Sequence, residues 1–172
     1  SVNPKISAGW NHTIALKFDE TVWTWGNNDD GKLGNGTITS SNTPIQVSGL
    51  SGVSAISGGW HHTAALKSDG TVWTWGDNER GQLGNGTTTS NYSPNLVSGL
   101  SGTFAAIACG ASHSAVLKSD GTVWTWGFND DGQLGNGTTT DSYTPVLVSG
   151  LSGTVTSLAA GRRDTLALLS DG

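Results

Sequence analysis

Trp73-Thr74-Trp75-Gly76 decides how this chain is read, because the same four residues stand at Trp23-Thr24-Trp25-Gly26 and at Trp124-Thr125-Trp126-Gly127. The interval is 50 residues from Trp23 to Trp73 and 51 from Trp73 to Trp124. Self-similarity at such a period marks a repeat architecture. Two further landmarks keep the same order. Gly31-Lys32-Leu33-Gly34-Asn35-Gly36 returns as Gly81-Gln82-Leu83-Gly84-Asn85-Gly86 and Gly132-Gln133-Leu134-Gly135-Asn136-Gly137. Gly9-Trp10-Asn11-His12-Thr13 returns as Gly59-Trp60-His61-His62-Thr63, as Gly110-Ala111-Ser112-His113-Ser114, and a fourth time as Gly161-Arg162-Arg163-Asp164-Thr165. The repeats therefore divide the chain at 1–50, 51–100 and 101–151, with a partial fourth at 152–172.

Inside the second repeat, Val53 to Ser57 alternates, His62 to Lys67 and Thr71 to Trp75 follow, and Ser68-Asp69-Gly70 separates the last two runs. These read as three short strands, with Asp69-Gly70 predicting a two-residue type I′ hairpin turn. Asp120-Gly121 and Asp171-Gly172 match that turn, whereas Asp19-Glu20 departs from it and predicts strain or a changed turn. Pro44, Pro94 and Pro145 precede a fourth apolar stretch, and proline beside a strand places it at an outer edge. Four short antiparallel strands per repeat with no helical periodicity predict an all-β chain of propeller blades, three of them complete and four-stranded, plus the first two strands of a fourth. Trp23 and Trp25, like Trp73 with Trp75 and Trp124 with Trp126, share one side of a strand and are expected to bury large areas between blades.

Composition agrees and excludes some functions. Eight Trp stand against three Phe, two Tyr and no Met, among 26 Gly, a mixture that suits strands and tight turns. A net charge of −5 with 12% charged residues argues against nucleic acid as a partner. No apolar run approaches the roughly 20 residues of a membrane-spanning helix. Cys109, the single cysteine, has no internal disulfide partner and reads as a small buried wedge near the axis.

The pattern Gly-x-x-His-Thr, an apolar run, Asp-Gly, Trp-Gly and Gly-Gln-Leu-Gly resembles the regulator-of-chromosome-condensation repeat family over essentially the whole chain. The resemblance implies an RCC1-like β-propeller whose parent ring has seven blades. Family members include a plant UV-B photoreceptor, exchange factors for a small GTPase and secreted inhibitors of β-lactamase, so the fold transfers and the function does not. In the photoreceptor pattern an arginine follows the tryptophan of the Gly-Trp turn. Here Asn11 and His61 stand in its place, and Ala111 and Arg162 replace the tryptophan, which argues against photoreception. Gly172 falls within a hairpin, so the expectation is an open ring whose exposed ends are covered by further chain or by self-association.

Candidate sites are weighed by periodicity. His12, His62 and His113 recur once per repeat, with Asp164 in the fourth, and read as hydrogen-bonding elements between adjacent turns, not metal ligands. His61 breaks the period and reads as exposed. The acidic loops at 27–30, 77–80 and 128–131 read as turn chemistry and not as calcium loops. No nucleophile–base–acid grouping and no cofactor motif is visible, so no enzymatic role is expected. Function is expected where the repeats differ: at Trp10, Asn11, Trp60, His61, Arg80, Phe128, Arg162 and Arg163, since exposed Trp and Arg are favoured anchors. The leading expectation is a non-catalytic protein-interaction or surface-adhesion propeller, bacterial and extracellular in view of its low charge and its Ser, Thr and Asn content. A structural module of a repetitive assembly, exchange-factor activity and ultraviolet sensing are the alternatives.

Overall fold

The computed structural model describes residues 2–171, so the Asp171-Gly172 turn lies partly outside the described residues. Fourteen strands and no helix form three four-stranded antiparallel sheets and one two-stranded sheet among those residues. Blade 1 holds β1 (Lys5–Ala8), β2 (His12–Leu16), β3 (Val22–Gly26) and β4 (Ser41–Gln46), paired in that order. Blade 2 repeats it with β5 (Val53–Gly58), β6 (His62–Lys67), β7 (Val72–Gly76) and β8 (Asn91–Leu96). Blade 3 holds β9 (Phe104–Cys109), β10 (His113–Lys118), β11 (Val123–Gly127) and β12 (Ser142–Leu147), and blade 4 holds β13 (Val155–Ala160) and β14 (Thr165–Leu169). The first strands contact one another in turn, β1 with β5, β5 with β9 and β9 with β13, which sets them around a common axis as a propeller requires. The small residues Ala8, Gly58, Cys109 and Ala160 end these strands beside that axis.

Each outer strand carries its proline inside the strand, at Pro44, Pro94 and Pro145, on the edge that needs no N–H donor. The inner hairpins differ from the expected type I′ form. Only Gly70, and not Asp69, has positive φ (81°), and Gly70 N–H donates to the Lys67 carbonyl at 3.0 Å. The turn is thus a three-residue loop with glycine in the left-handed position. Asp69 is held in place because its carboxylate accepts the Thr71 amide at 3.0 Å, an interaction made with the backbone two residues on. Glu20 takes the same left-handed position at φ 63°, so the departure at Asp19-Glu20 keeps the turn and strains it.

Between blades lie clusters that join Val22, Val47, Leu50, Val53 and Trp75, then Val72, Val97, Val116 and Trp126. The expectation that each of these indoles buries a large area between blades holds for only some of them. Trp75 and Trp126 are fully buried, each inserted into the preceding blade with its indole N–H donating to the carbonyl of Lys32 (2.9 Å) or Gln82 (2.8 Å). Trp25 has no such neighbour among the described residues and is half-buried. Trp23, Trp73 and Trp124 sit at the rim, half-buried beneath the ammonium groups of Lys17, Lys67 and Lys118.

Candidate functional site

The turns between first and second strands, and the start of each loop after the third strand, meet at one end of the blades, because His12 pairs with Gly26, His62 with Gly76 and His113 with Gly127. That end is held rigid by a repeated latch. His12 Nε2 lies 2.8 Å from Thr63 Oγ1, His62 Nε2 2.9 Å from Ser114 Oγ, and His113 Nε2 3.1 Å from Thr165 Oγ1. Each hydroxyl spends its own proton on the carbonyl of Lys32, Gln82 or Gln133. The ring nitrogen must then be the donor, which assigns the Nε2–H tautomer and leaves Nδ1 a bare acceptor, unpartnered among the described residues. Burial pushes these imidazoles down to about 4, about 3 and about 4, keeping them neutral.

The loops after β3, β7 and β11 are built around buried Asn28, Asn78 and Asn129. The Asn28 amide donates to the carbonyls of Thr37 (2.9 Å) and Thr39 (3.0 Å), while its oxygen accepts the Leu33 amide at 2.8 Å; Asn78 and Asn129 repeat this. Cys109 is buried, and burial raises its thiol to about 12, above the opposing effect of hydrogen bonds with Ser57 and Ser114.

On this scaffold the non-repeating residues gather into two clusters. Trp10 and Trp60 lie with ring centroids 4.4 Å apart, and the Arg162 guanidinium stacks 4.7 Å from the Trp60 centroid. The indoles are thus in close tilted contact, at the short end of aromatic pair distances, and the guanidinium lies within cation–π range. They rim an axial depression of about 260 Å³ floored by the small residues of the first strands. Phe128 lies between two guanidiniums, Arg80 at 4.9 Å and Arg163 at 5.7 Å. Trp10, Asn11, Arg80, Arg162 and Arg163 are exposed, while Trp60 and Phe128 are half-buried. Asn11 joins neither cluster by a side-chain hydrogen bond among the described residues.

His61 is corrected from exposed to half-buried. Its Nδ1 lies 2.8 Å from Asp30 Oδ2 of the preceding blade, and its ring meets Trp10 edge-on at 5.7 Å. Sequence reasoning missed its partners. Asp30 also takes Lys32 Nζ at 2.8 Å, and Lys32 is only 2% exposed. Burial alone would raise the Asp30 carboxyl, but the hydrogen bonds from Lys32 and His61 outweigh it and hold the group below its usual value. Arg163 pairs with Asp131 at 2.9 Å and Arg80 with Asp141 at 3.6 Å. The signal was present in the departures from the repeat: Lys32 stands where Gln82 and Gln133 do, and Asp141 where Ser40 and Ser90 do. Phe128 is another such departure. Its counterpart Asp77 accepts the Gln82 side-chain amide at 2.6 Å, and with phenylalanine in that place the buried Gln133 Nε2 has no partner among the described residues.

Comparison with known proteins fits this architecture. The RCC1-like domain model matches residues 2–171. The human E3 ubiquitin-protein ligase HERC2 is 40% identical over 170 residues, covering 96% of this chain and 4% of the ligase. The Arabidopsis thaliana ultraviolet-B receptor UVR8 is 37% identical over 172 residues, covering 97% of this chain and 39% of the receptor. Yeast RCC1 (Prp20), solved in complex with Kap60, superposes with a TM-score of 0.86 at 23% identity over all of this chain and 43% of its own. The chain thus spans less than half the length of these relatives. The ligase match corrects the expectation of no enzymatic role: repeats of this kind occur within an E3 ubiquitin-protein ligase, and a missing nucleophile and base in these residues excludes nothing about activity carried elsewhere in such a protein. With the family model spanning residues 2–171 and relatives at 37–40% identity along nearly its whole length, the chain belongs to the RCC1-like domain family.

Proposed function

We propose that the chain presents a protein-docking face built from Trp10, Trp60 and Arg162 at the axis and from Arg80, Phe128 and Arg163 beside it. The observation that carries this reading is the gathering of non-repeating aromatic and guanidinium groups at one end of the blades, stacked on one another at 4.4–5.7 Å. Tryptophan and arginine are the residue types favoured as interface anchors, and stacking on one another orders these side chains before a partner arrives. Phe128 adds support, since it leaves the buried Gln133 amide unpaired, a local cost that a purely structural position has no reason to keep. The yeast relative in the same fold is described in complex with Kap60 and in terms of its binding to Gsp1p and histones, so faces of this fold do serve protein partners. Affinity capture with the wild-type chain and with a Trp60→Ala, Arg162→Ala variant tests it. Proteins held by the wild type should be lost from the variant while its circular dichroism and melting stay intact; equal capture by both overturns the reading.

A second reading, ultraviolet sensing, rests on the Trp10–Trp60 pair capped by Arg162 and on the 37% identity with the ultraviolet-B receptor. Ultraviolet-B irradiation should then change the oligomeric state seen by size exclusion, and an unchanged profile rejects it.

A further inference from the structure

The loop after the third strand opens with a side-chain acceptor in blades 1 and 2 and without one in blade 3. In blade 2 the Asp77 carboxylate accepts the Gln82 side-chain amide at 2.6 Å through one oxygen and the Glu79 backbone amide at 3.1 Å through the other. In blade 1 Asn27 Oδ1 faces the Asp29 amide at 3.4 Å. Phe128 stands at this place in blade 3 and offers no acceptor to the Asp130 amide or to Gln133 Nε2. Gln133 nevertheless keeps the posture of Gln82: its Oε1 accepts the Asp131 amide at 3.1 Å, as Gln82 Oε1 accepts that of Arg80 at 3.0 Å. Its Nε2 is therefore aimed at the side chain of position 128, buried and without a partner among the described residues, in a residue only 6% exposed. Around the same ring stand two guanidiniums, Arg80 at 4.9 Å and Arg163 at 5.7 Å from its centroid. Each commits Nη1 to a carboxylate, that of Asp141 at 3.6 Å and that of Asp131 at 2.9 Å, which leaves further N–H donors on both.

We infer that this cluster is a carboxylate-binding site, in which an aspartate or glutamate side chain of a protein partner takes the place that the Asp77 carboxylate fills in blade 2. The inference rests on the docking face proposed above and names the chemistry of one contact on it. With Phe128 turned out toward solvent, one oxygen of the incoming carboxylate accepts Gln133 Nε2–H and the other accepts the Asp130 amide. The remaining N–H groups of Arg80 and Arg163 flank it. The template is the chain itself, because in blade 2 a carboxylate serves the equivalent pair of donors. Asp131 and Asp141 already balance the two guanidiniums, so recognition comes from directed donors and not from net charge. A carboxylate still answers those donors best, since a hydrogen bond to an ionised oxygen is roughly twice as strong as a neutral one. In the free protein the ring stands where the carboxylate belongs and Gln133 Nε2 stays buried beneath it, so Phe128 is the gate.

The test titrates the isotope-labelled full chain with the peptide acetyl-Gly-Asp-Gly-amide and with its asparagine analogue, reading the Gln133 side-chain amide and the Asp130 backbone amide by heteronuclear NMR. Gln82 and Glu79, already served by Asp77, are the internal references. Saturable shifts are expected at Gln133 and Asp130 and not at Gln82 and Glu79, with binding of the asparagine analogue weaker by roughly fivefold. Phe128→Ala should tighten binding by about threefold, because no ring has to leave its place. Phe128→Asp should abolish it, because the chain then carries its own carboxylate there. Absence of saturable shifts overturns the inference, as do equal shifts at the reference residues, equal binding of the two peptides, or indifference to Phe128→Asp. A silent titration beside partner capture that is lost in the Trp60→Ala, Arg162→Ala variant rejects the carboxylate site and leaves the docking face standing.

Discussion

At position 20 the chain asks a glutamate to do what Gly70 and Gly121 do in the next two repeats. Its φ of 63° lies in the left-handed region, which costs an ordinary L-residue roughly 1–2 kcal/mol, partly offset by the entropy a glycine would lose. Glu20→Gly should therefore raise stability by about 0.5–1 kcal/mol, seen as a melting temperature higher by about 1–4 °C for a chain of this size. A fall in melting temperature would contradict the turn geometry. Phe128 carries the opposite trade. Phe128→Asp restores the acceptor that Asp77 gives Gln82, and satisfying a buried amide is worth about 1 kcal/mol. It also removes the ring between Arg80 and Arg163. Higher stability by urea denaturation together with weaker partner capture is the expected pair of results.

At the scale of the strand, the unit that joins blades is a donor chain, from the imidazole of one second strand to the hydroxyl of the next and on to a loop carbonyl. Thr63→Val keeps the shape of the side chain and removes both bonds, stranding His12 Nε2–H and weakening the tie to the Lys32 carbonyl. A buried donor left unsatisfied costs about 1–3 kcal/mol, so the variant should unfold at correspondingly lower urea. Thr43→Val, on an exposed stretch of β4, serves as the comparison and should change little. The buried aromatics of β7 and β11, Trp75 and Trp126, are anchored to the same loop carbonyls, so blades 1 and 2 and blades 2 and 3 meet through the same joint.

Over the whole molecule, the three latch histidines make stability depend on acid. Their folded values near 3 to 4 lie below the ordinary 6.5, so the unfolded chain binds protons first. Stability is fully present above pH 6.5 and falls as pH drops toward 4, by up to about 1.4 kcal/mol per pH unit for each histidine. Carboxyls held low by their hydrogen bonds, such as Asp120 with Thr122, add their loss only at lower pH. Urea midpoints measured at pH 7, 6 and 5 should decline steadily, and a flat profile would show that the histidines are not neutral and buried as the latch requires. The two flanks of the stack matter at this scale too: Ile6 and Phe18 at one end, and Leu166 and Leu168 at the other, are all more than half exposed. They are the faces that neighbouring blades cover between β2 and β5 or β6 and β9.

Much of this protein is written locally. The recurrence of Trp-Thr-Trp-Gly and Gly-Gln-Leu-Gly at a period near 50 determines strand order, blade count and the edge position of the proline strands, because each repeat is one supersecondary unit whose pattern needs only its own residues. The His-Thr turns were legible as inter-turn bonds for the same reason. What tertiary structure decided is which residues from different repeats meet. No spacing says that Arg162 crosses the axis to Trp60, that Phe128 lies between Arg80 and Arg163, or that Asp30 gathers both Lys32 and His61. Those contacts depend on how far each blade turns about the axis and on what lies across it, and a one-dimensional period carries neither. The same holds for Trp75 and Trp126 against Trp25: three identical motifs, with burial set by whether the described residues include a preceding blade that receives the ring.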